Sequence, residues 1–85
     1  MKNVYKCFEI GNEYVVLVYR NGERHLDKTY LYKFKKQSRS LLSIVSTDTD
    51  KGKKEVEEFI SNLDDYKPYN RDTSSMTNYI EHILK

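Results

Sequence analysis

The stretch that decides the fold is V-Y-K-C-F-E-I-G-N-E-Y-V-V-L-V-Y-R, residues 4–20, followed by Asn21-Gly22. Apolar and polar residues alternate on either side of Gly11-Asn12, which is typical of two strands joined by a tight turn. Asn-Gly is the strongest short hairpin signal, because a type I′ turn needs positive φ at both central residues. The two dipeptides therefore predict an antiparallel meander whose third strand starts at Glu23.

Two-residue turns fix the register of both predicted hairpins, and the register assigns side chains to the two faces of the sheet. In the first hairpin Phe8 opposes Val15, and in the second Leu17 opposes Leu26. One face is then apolar and is predicted to be the core: Val4, Phe8, Ile10, Val15, Leu17, Tyr19, Leu26, Tyr30, Tyr32 and Phe34. The opposite face is mixed, apolar in the middle and charged at the rim.

The rest of the chain predicts one more strand and two helices. Residues 41–45 form a short apolar run typical of a strand. Apolar residues then recur at helical spacing twice, first at Val56, Phe59, Ile60 and Leu63, then at Met76, Tyr79, Ile80, Ile83 and Leu84. Strands followed by helices favour an α+β fold. We expect an antiparallel meander of three to four strands and two C-terminal α-helices packed on one face.

The composition excludes several classes of protein. The chain has 85 residues and a net charge of +2, which fits a single small domain, 1–85, with a sheet half at 1–46 and a helical half at 47–85. Its longest apolar run, residues 14–19, is far shorter than the roughly 18 residues of a membrane span. No secretory pattern follows Met1, and the single Cys7 forms no internal disulfide. We expect a cytoplasmic protein that contacts no membrane.

Catalytic and metal-binding patterns are weak. Cys7, His25 and Asp27 fall on one predicted face, but the predicted register places Cys7 and His25 roughly 12 Å apart, beyond hydrogen-bond reach. Cys7, His25 and His82 have no metal-ligand spacing. The three glycines are isolated, so no phosphate-binding loop is recognisable. The sequence predicts no enzyme, cofactor, metal or small-molecule substrate.

Basic residues concentrate in the sheet half. Residues 1–42 hold nine Lys and Arg against four Asp and Glu, whereas residues 43–85 hold six against nine. Aromatic rings interleaved with cations on an open sheet are typical of single-stranded nucleic-acid binders, although lysines at a sheet edge also prevent edge pairing. The predicted partner-binding residues are Arg20, Arg24, Lys33, Lys35, Lys36, Arg39, Tyr5 and Tyr14.

The segment between the predicted helices is a second candidate. It contains Tyr66, Tyr69 and Arg71 around Pro68. Tyrosine and arginine are enriched where proteins bind one another. The alternative is that both rings pack over the end of the sheet and extend a small core.

A predicted three-stranded sheet followed by a helix that begins T-D-K-G-K-K-E-V, residues 49–56, resembles the small DNA-binding domains at the front of tyrosine integrases. In that family the sheet enters the major groove and a C-terminal helix backs it. The resemblance therefore implies a DNA contact through the sheet, while the fourth strand and last helix depart from the family pattern. The Lys-, Tyr-, Asn- and Asp-rich composition also resembles small accessory proteins of phages and mobile elements.

Two functions remain open at this point. In the first, a small non-enzymatic regulatory protein contacts nucleic acid or a nucleoprotein through its basic, tyrosine-containing sheet surface. In the second, the protein is an inhibitor that binds and blocks a host protein or enzyme by protein–protein contacts. A homodimer is compatible with both.

Overall fold

The computed structural model describes residues 3–20 and 29–84. The elements are β1 (Val4–Ile10), β2 (Glu13–Tyr19), β3 (Thr29–Lys35), β4 (Leu41–Ser46), α1 (Asp50–Ser61), a short 3-10 helix (Leu63–Asp65), β5 (Lys67–Pro68) and α2 (Ser74–Leu84). The strands form one antiparallel sheet in the order β4-β3-β2-β1-β5. The α+β class is confirmed, with a two-residue fifth strand beyond the three to four that were predicted.

The first hairpin has the register that its turn predicts. Ile10 pairs with Glu13 and Phe8 pairs with Val15 across the Gly11-Asn12 turn. Gly11 has a φ of +56°, a conformation that glycine adopts at little cost. The local turn chemistry was therefore sufficient to predict this part of the sheet.

The predicted register between β2 and β3 is wrong, although the two strands are adjacent and antiparallel as predicted. The described strand β3 is Thr29–Lys35, and its register differs from the predicted one, because Leu17 pairs with Leu31 instead of Leu26. The shift is five residues, and an odd shift moves every side chain of a strand to the other face. The Asn21-Gly22 dipeptide itself lies outside the described residues.

The shifted register corrects the predicted core. Leu31 shares a face with Leu17, whereas the three β3 aromatics share a face with Val16 and Val18. These aromatics, which were predicted to lie beside Leu17, are Tyr30, Tyr32 and Phe34. We call the Leu17 side of the sheet the α1 face and the Val16 side the α2 face.

Each face is covered by one helix. Val56 and Phe59 of α1 pack in the cluster that contains Leu17, and Met76 and Ile80 of α2 pack in a second cluster on the opposite side. The prediction that both helices pack on one face is therefore wrong. The physical reason is β2, which is apolar at successive positions and has to be buried on both sides.

Side-chain hydrogen bonds to backbone N–H groups mark where both helices begin. The Thr49 side chain accepts a hydrogen bond from the backbone N–H of Gly52 at 3.0 Å and caps α1. The Asp72 carboxylate accepts a hydrogen bond from the backbone N–H of Ser74 at 3.1 Å at the start of α2.

Neither helix of the described chain is long and apolar enough to cross a membrane.

Candidate functional site

The structure separates the basic and aromatic residues that were predicted to share one surface. Lys33 lies on the α1 face, where its Nζ is 3.7 Å from the Glu55 carboxylate. Tyr5 and Tyr14 lie on the α2 face. The corrected β3 register is the cause, because it places Lys33 and Lys35 on the side of the sheet opposite the two tyrosines.

Arg20 lies at the far end of the sheet from Arg39. It follows the last residue of β2 and donates to the backbone carbonyl of Leu84 at the end of α2, at 3.3 Å. Arg39 lies beyond Lys35, which pairs with the first residue of β2. A seven-residue strand spans about 20 Å, so the predicted set does not form one patch. Arg24 lies outside the described residues.

Three predicted residues do meet, together with Tyr69 from the second candidate segment. The ring centroids of Tyr14 and Tyr69 are 4.4 Å apart, and the Arg39 guanidinium lies 5.4 and 5.9 Å from them. Arg39 donates to the Tyr69 hydroxyl at 2.9 Å and to the backbone carbonyl of Asp72 at 2.7 Å. Lys36 lies 5.8 Å from the Tyr14 ring. We call Tyr14, Lys36, Arg39 and Tyr69 the tyrosine–cation cluster.

The groups of the tyrosine–cation cluster are already engaged with one another. Lys36 forms an ion pair with Glu9 at 2.9 Å, and Lys67 lies 3.7 Å from the same carboxylate. These cations hold the pKa of Glu9 below its ordinary value. Because the two tyrosine rings contact each other and the Arg39 guanidinium, the cluster ties the β3–β4 turn to the segment before α2.

A groove of about 630 Å³ runs beside the outer edge of β1. Tyr5 and Cys7 line it from the sheet, and Thr77 lines it from α2. All three residues of the second candidate segment also line it, Tyr66, Tyr69 and Arg71. The structure thus joins Tyr5, from the first predicted set, to the second set in one concave surface, which we call the β1 groove.

The edge of β1 is open where it borders the groove. β5 pairs only with Phe8 and Glu9, and the Tyr69 N–H extends the pairing by one bond to the carbonyl of Cys7 at 2.8 Å. The backbone polar groups of Cys7 therefore point away from β2, and those of Tyr5, two residues earlier, point the same way. No strand of the described chain pairs with Tyr5 on this side.

The tyrosines of the second segment contribute to the core as well as to the groove. Tyr66 stacks on Phe59 at a centroid distance of 4.7 Å and meets the edge of Phe8 at 6.3 Å. Tyr69 packs with the α2-face cluster. Both rings are half-buried, so their packing holds the groove wall in place, while Arg71 is exposed at the groove.

The surroundings of Cys7 favour the neutral thiol over the thiolate. Burial raises its pKa to about 11, and the nearby Arg39 lowers it only in part. The thiolate is the nucleophilic form, so the thiol is a poor nucleophile at neutral pH. His25 and Asp27 lie outside the described residues. Within residues 3–20 and 29–84, no three His, Cys, Asp or Glu side chains are grouped to hold a metal ion.

Sequence reasoning did not identify several residues of the β1 groove. Thr73, which immediately precedes α2, and Thr77, in its first turn, are four residues apart and both line the groove, and Pro68 belongs to β5. The i, i+4 threonine pair is a recognisable signal of a common helix side. A two-residue strand that contains proline has no sequence pattern that distinguishes it from a loop.

The arrangement of helices also bears on the resemblance to integrase DNA-binding domains. In that family one face of the sheet is free to contact DNA. Here α1 and α2 cover the two faces, so neither face of the described sheet is open in the way that the resemblance implies.

Comparison with protein-family models, with curated proteins and with solved structures finds no match to this chain. The geometry of the described residues is therefore the basis of the functional proposal.

Proposed function

We propose that the protein is a non-enzymatic binding protein that takes up an extended segment of a partner protein along the open edge of β1. The observation that carries the proposal is the position of Tyr5, whose backbone N–H and C=O face the β1 groove without a partner strand in the described chain. An extended peptide binds such an edge through main-chain hydrogen bonds, and neighbouring pockets select its side chains.

The walls of the groove indicate which segment fits. Tyr5, Cys7 and Tyr69 form an aromatic and weakly polar wall suited to an apolar side chain. Arg71 is exposed at the groove and Lys6 also lines it, against one lining carboxylate, that of Asp64. The positive excess favours an acidic residue in the partner segment. An extended chain advances about 3.3 Å per residue, so the open part of β1 accommodates a few residues of the partner.

The nucleic-acid alternative has less geometric support. Binders of single strands present free aromatic faces on which bases stack. Here helices cover both faces of the sheet, and Tyr14 and Tyr69 contact each other and Arg39. We therefore favour a protein partner over a nucleic-acid partner.

The test is selection of peptides from a random display library on the immobilised protein, followed by titration of a selected peptide by NMR. We expect amide shifts at Tyr5, Cys7 and Thr77. Tyr5→Pro removes the edge donor and should abolish binding, whereas Tyr5→Ala keeps that donor and should weaken binding only partly. Proline is tolerated on sheet edges, so the fold should survive, which circular dichroism checks.

A second pair of variants keeps the test decisive if Tyr5→Pro does not fold. Arg71→Glu should weaken binding of an acidic peptide, whereas Lys54→Glu, a charge reversal on the exposed side of α1, should not. Peptides that shift only amides remote from the groove would overturn the proposal. Tight, steeply salt-dependent binding of a fluorescent oligo-dT strand would favour nucleic acid instead.

A further inference from the structure

The β1 groove is blocked at one end by the chain itself. The pairing between β1 and the segment after β5 stops at Tyr69, whose N–H donates to the carbonyl of Cys7 at 2.8 Å. The next two residues, Asn70 and Arg71, line the groove, and the chain then leaves the sheet edge to begin α2. A partner strand that runs along the open edge from Tyr5 towards Cys7 therefore meets Asn70 and Arg71.

The two sides of the groove differ in charge. On the α1-face side the lining charges are opposite in sign, because Lys6 lies on the same side of β1 as Phe8, and Asp64 follows Leu63, which packs on the α1-face cluster. On the α2-face side Arg71 is the charged residue among neutral lining residues, which are Tyr5, Cys7, Tyr69, Asn70, Thr73 and Thr77. No carboxylate of the described residues lies within ion-pair distance of Arg71, which is exposed.

Hydrogen-bond donors are available at the blocked end. The backbone N–H groups of Asn70 and Arg71 have no acceptor within residues 3–20 and 29–84. The Arg71 guanidinium adds a positively charged donor beside them. Backbone N–H groups next to a cation are the groups with which proteins bind a terminal carboxylate.

The other end of the groove is acidic. Thr77 lines the groove, and Glu81 follows it by four residues on the same side of α2. Burial raises the pKa of the Tyr5 hydroxyl, and the nearby Glu81 carboxylate raises it further. Because Tyr5 and Tyr69 lie towards opposite ends of the groove, the negative charge of Glu81 and the positive charge of Arg71 are separated along it. A negatively charged group is attracted to the Arg71 end and repelled at the Tyr5 end.

We infer that the β1 groove binds the C-terminus of its partner protein, with the terminal carboxylate against Arg71 and the backbone N–H groups beside it. The inference rests on the proposed function and specifies which segment of the partner is taken up. The blocked end lies on the Cys7 side of Tyr5, so the last residues of the partner run parallel to β1. They pair with the main chain of Tyr5 and end where Tyr69 occupies the edge.

Charge and space distinguish this segment from the two alternatives. A segment that ran antiparallel to β1 would place its own N-terminal ammonium group beside the Arg71 guanidinium, where like charges repel. An internal segment would have to turn out of the groove at Asn70, because Tyr69 occupies the next position along the edge. A free C-terminus avoids both costs.

The test compares two display libraries of the same short random segment, one ending in a free carboxylate and one followed by a fixed Gly-Ser linker. We expect the immobilised protein to enrich peptides from the first library. A selected peptide is then titrated by NMR as the free acid and as the C-terminal amide, with the Tyr5, Cys7 and Thr77 amides as reporters. Amidation should raise the dissociation constant about tenfold or more, because it removes an ionised acceptor.

Arg71→Gln identifies the group that binds the carboxylate. The variant should weaken binding of the free acid about fivefold and leave binding of the amide unchanged, so the two changes form a double-mutant cycle. Lys54→Gln removes one positive charge from the exposed side of α1 and should leave both dissociation constants unchanged.

The outcomes separate this inference from the proposed function. If the free acid, the amide and a linker-extended peptide bind equally and shift the groove amides, the groove takes up an internal segment. The C-terminal inference is then wrong, while the proposed function stands. Equal weakening of acid and amide by Arg71→Gln would also overturn the inference. If peptides from neither library shift the groove amides, both proposals are wrong.

Discussion

Gly52, in the first turn of α1, lies directly against the backbone carbonyl oxygen of Ser46 at the end of β4. A Cβ atom at position 52 would overlap this oxygen and would also come within 3.0 Å of the Thr49 side-chain oxygen that caps the helix. The close approach fixes where α1 leaves the sheet and turns back across its face.

Gly52→Ala should therefore destabilise the protein. In an ordinary helix interior this change stabilises by about 1 kcal/mol, but overpacking against backbone costs about 1–3 kcal/mol. Urea unfolding measures the difference. The control is Lys53→Ala, an exposed neighbour whose change should alter the free energy of unfolding by less than about 0.5 kcal/mol. A more stable Gly52→Ala would show that α1 can shift away from β4.

The α1-face core should be sensitive to truncation at Phe59 and Leu17. Phe59 stacks on Tyr66 and meets Phe8 edge-on at 5.7 Å, and Leu17 is fully buried. Each change to alanine should lower the free energy of unfolding by about 2–5 kcal/mol. Thermal melts provide the measurement, with Glu57→Ala as an exposed comparison on the same helix. A melting temperature within a degree or two of the unmodified protein would remove that residue from the core.

Arg39 combines a costly backbone conformation with three side-chain contacts. Its φ is +57°, which is unfavourable for a residue with a Cβ atom. Arg39→Gly and Arg39→Ala both remove the contacts to Tyr14, Tyr69 and Asp72. Only glycine adopts the positive φ of this position without the steric cost of a Cβ atom. We expect the glycine variant to be more stable than the alanine variant by about 1 kcal/mol. Equal stabilities in urea titrations would mean that the turn relaxes when the side chain is lost.

The ion pair of Glu9 should make the stability of the protein depend on pH in the acidic range. The hydrogen bond from Lys36 is the main cause of the lowered pKa of Glu9, and Lys67 adds to it. A carboxyl group whose pKa is lower in the folded protein than in the unfolded chain stabilises the fold at pH values above its ordinary pKa of 4.5. This stabilisation is lost as the pH falls through the pKa of the folded state. Urea unfolding from about pH 6 to about pH 3 should show the loss, and Glu9→Gln should flatten it. If the stability of Glu9→Gln depends on pH as strongly as that of the unmodified protein, Glu9 is not the group responsible. Glu57→Gln, at an exposed position, is the control variant.

Cys7 should react slowly with a thiol reagent while the protein is folded. Burial raises its pKa from 9.0 to about 11, so the thiolate fraction at neutral pH falls by about a hundredfold. The rate with Ellman's reagent at pH 8 should be lower than in denaturing urea by about this factor. A folded thiol that reacts as fast as the unfolded one would indicate an activated cysteine and would reopen the possibility of nucleophilic chemistry.

Several elements were predictable because their signals are local. The Gly11-Asn12 turn specifies the β1–β2 register within four residues, and the helical spacing of Val56, Phe59 and Ile60 specifies the buried side of α1. The uninterrupted apolar run of β2 was a signal that both faces are buried, but it does not tell which helix covers which face.

The candidate site was only partly predictable. Tyr5, Tyr66, Tyr69 and Arg71 were predicted to bind a partner because of their residue types, and the structure brings them to one groove. Lys33 and Lys35 were assigned to the same surface as Tyr5, and the structure places them on the other side of the sheet. The error has one source, the assumed two-residue turn at Asn21-Gly22, because strand periodicity converts an odd register shift into a complete exchange of faces.

The sequence by itself determined the fold class, the first hairpin and the buried side of α1, because turn chemistry and hydrophobic periodicity act over a few residues. Only the tertiary structure decided the register of β3, the placement of one helix on each face, and the two open edges at β1 and β4. These features depend on contacts between residues far apart in the chain. The register and the placement of the helices depend on which apolar surfaces can be buried together, and no local sequence pattern contains that information.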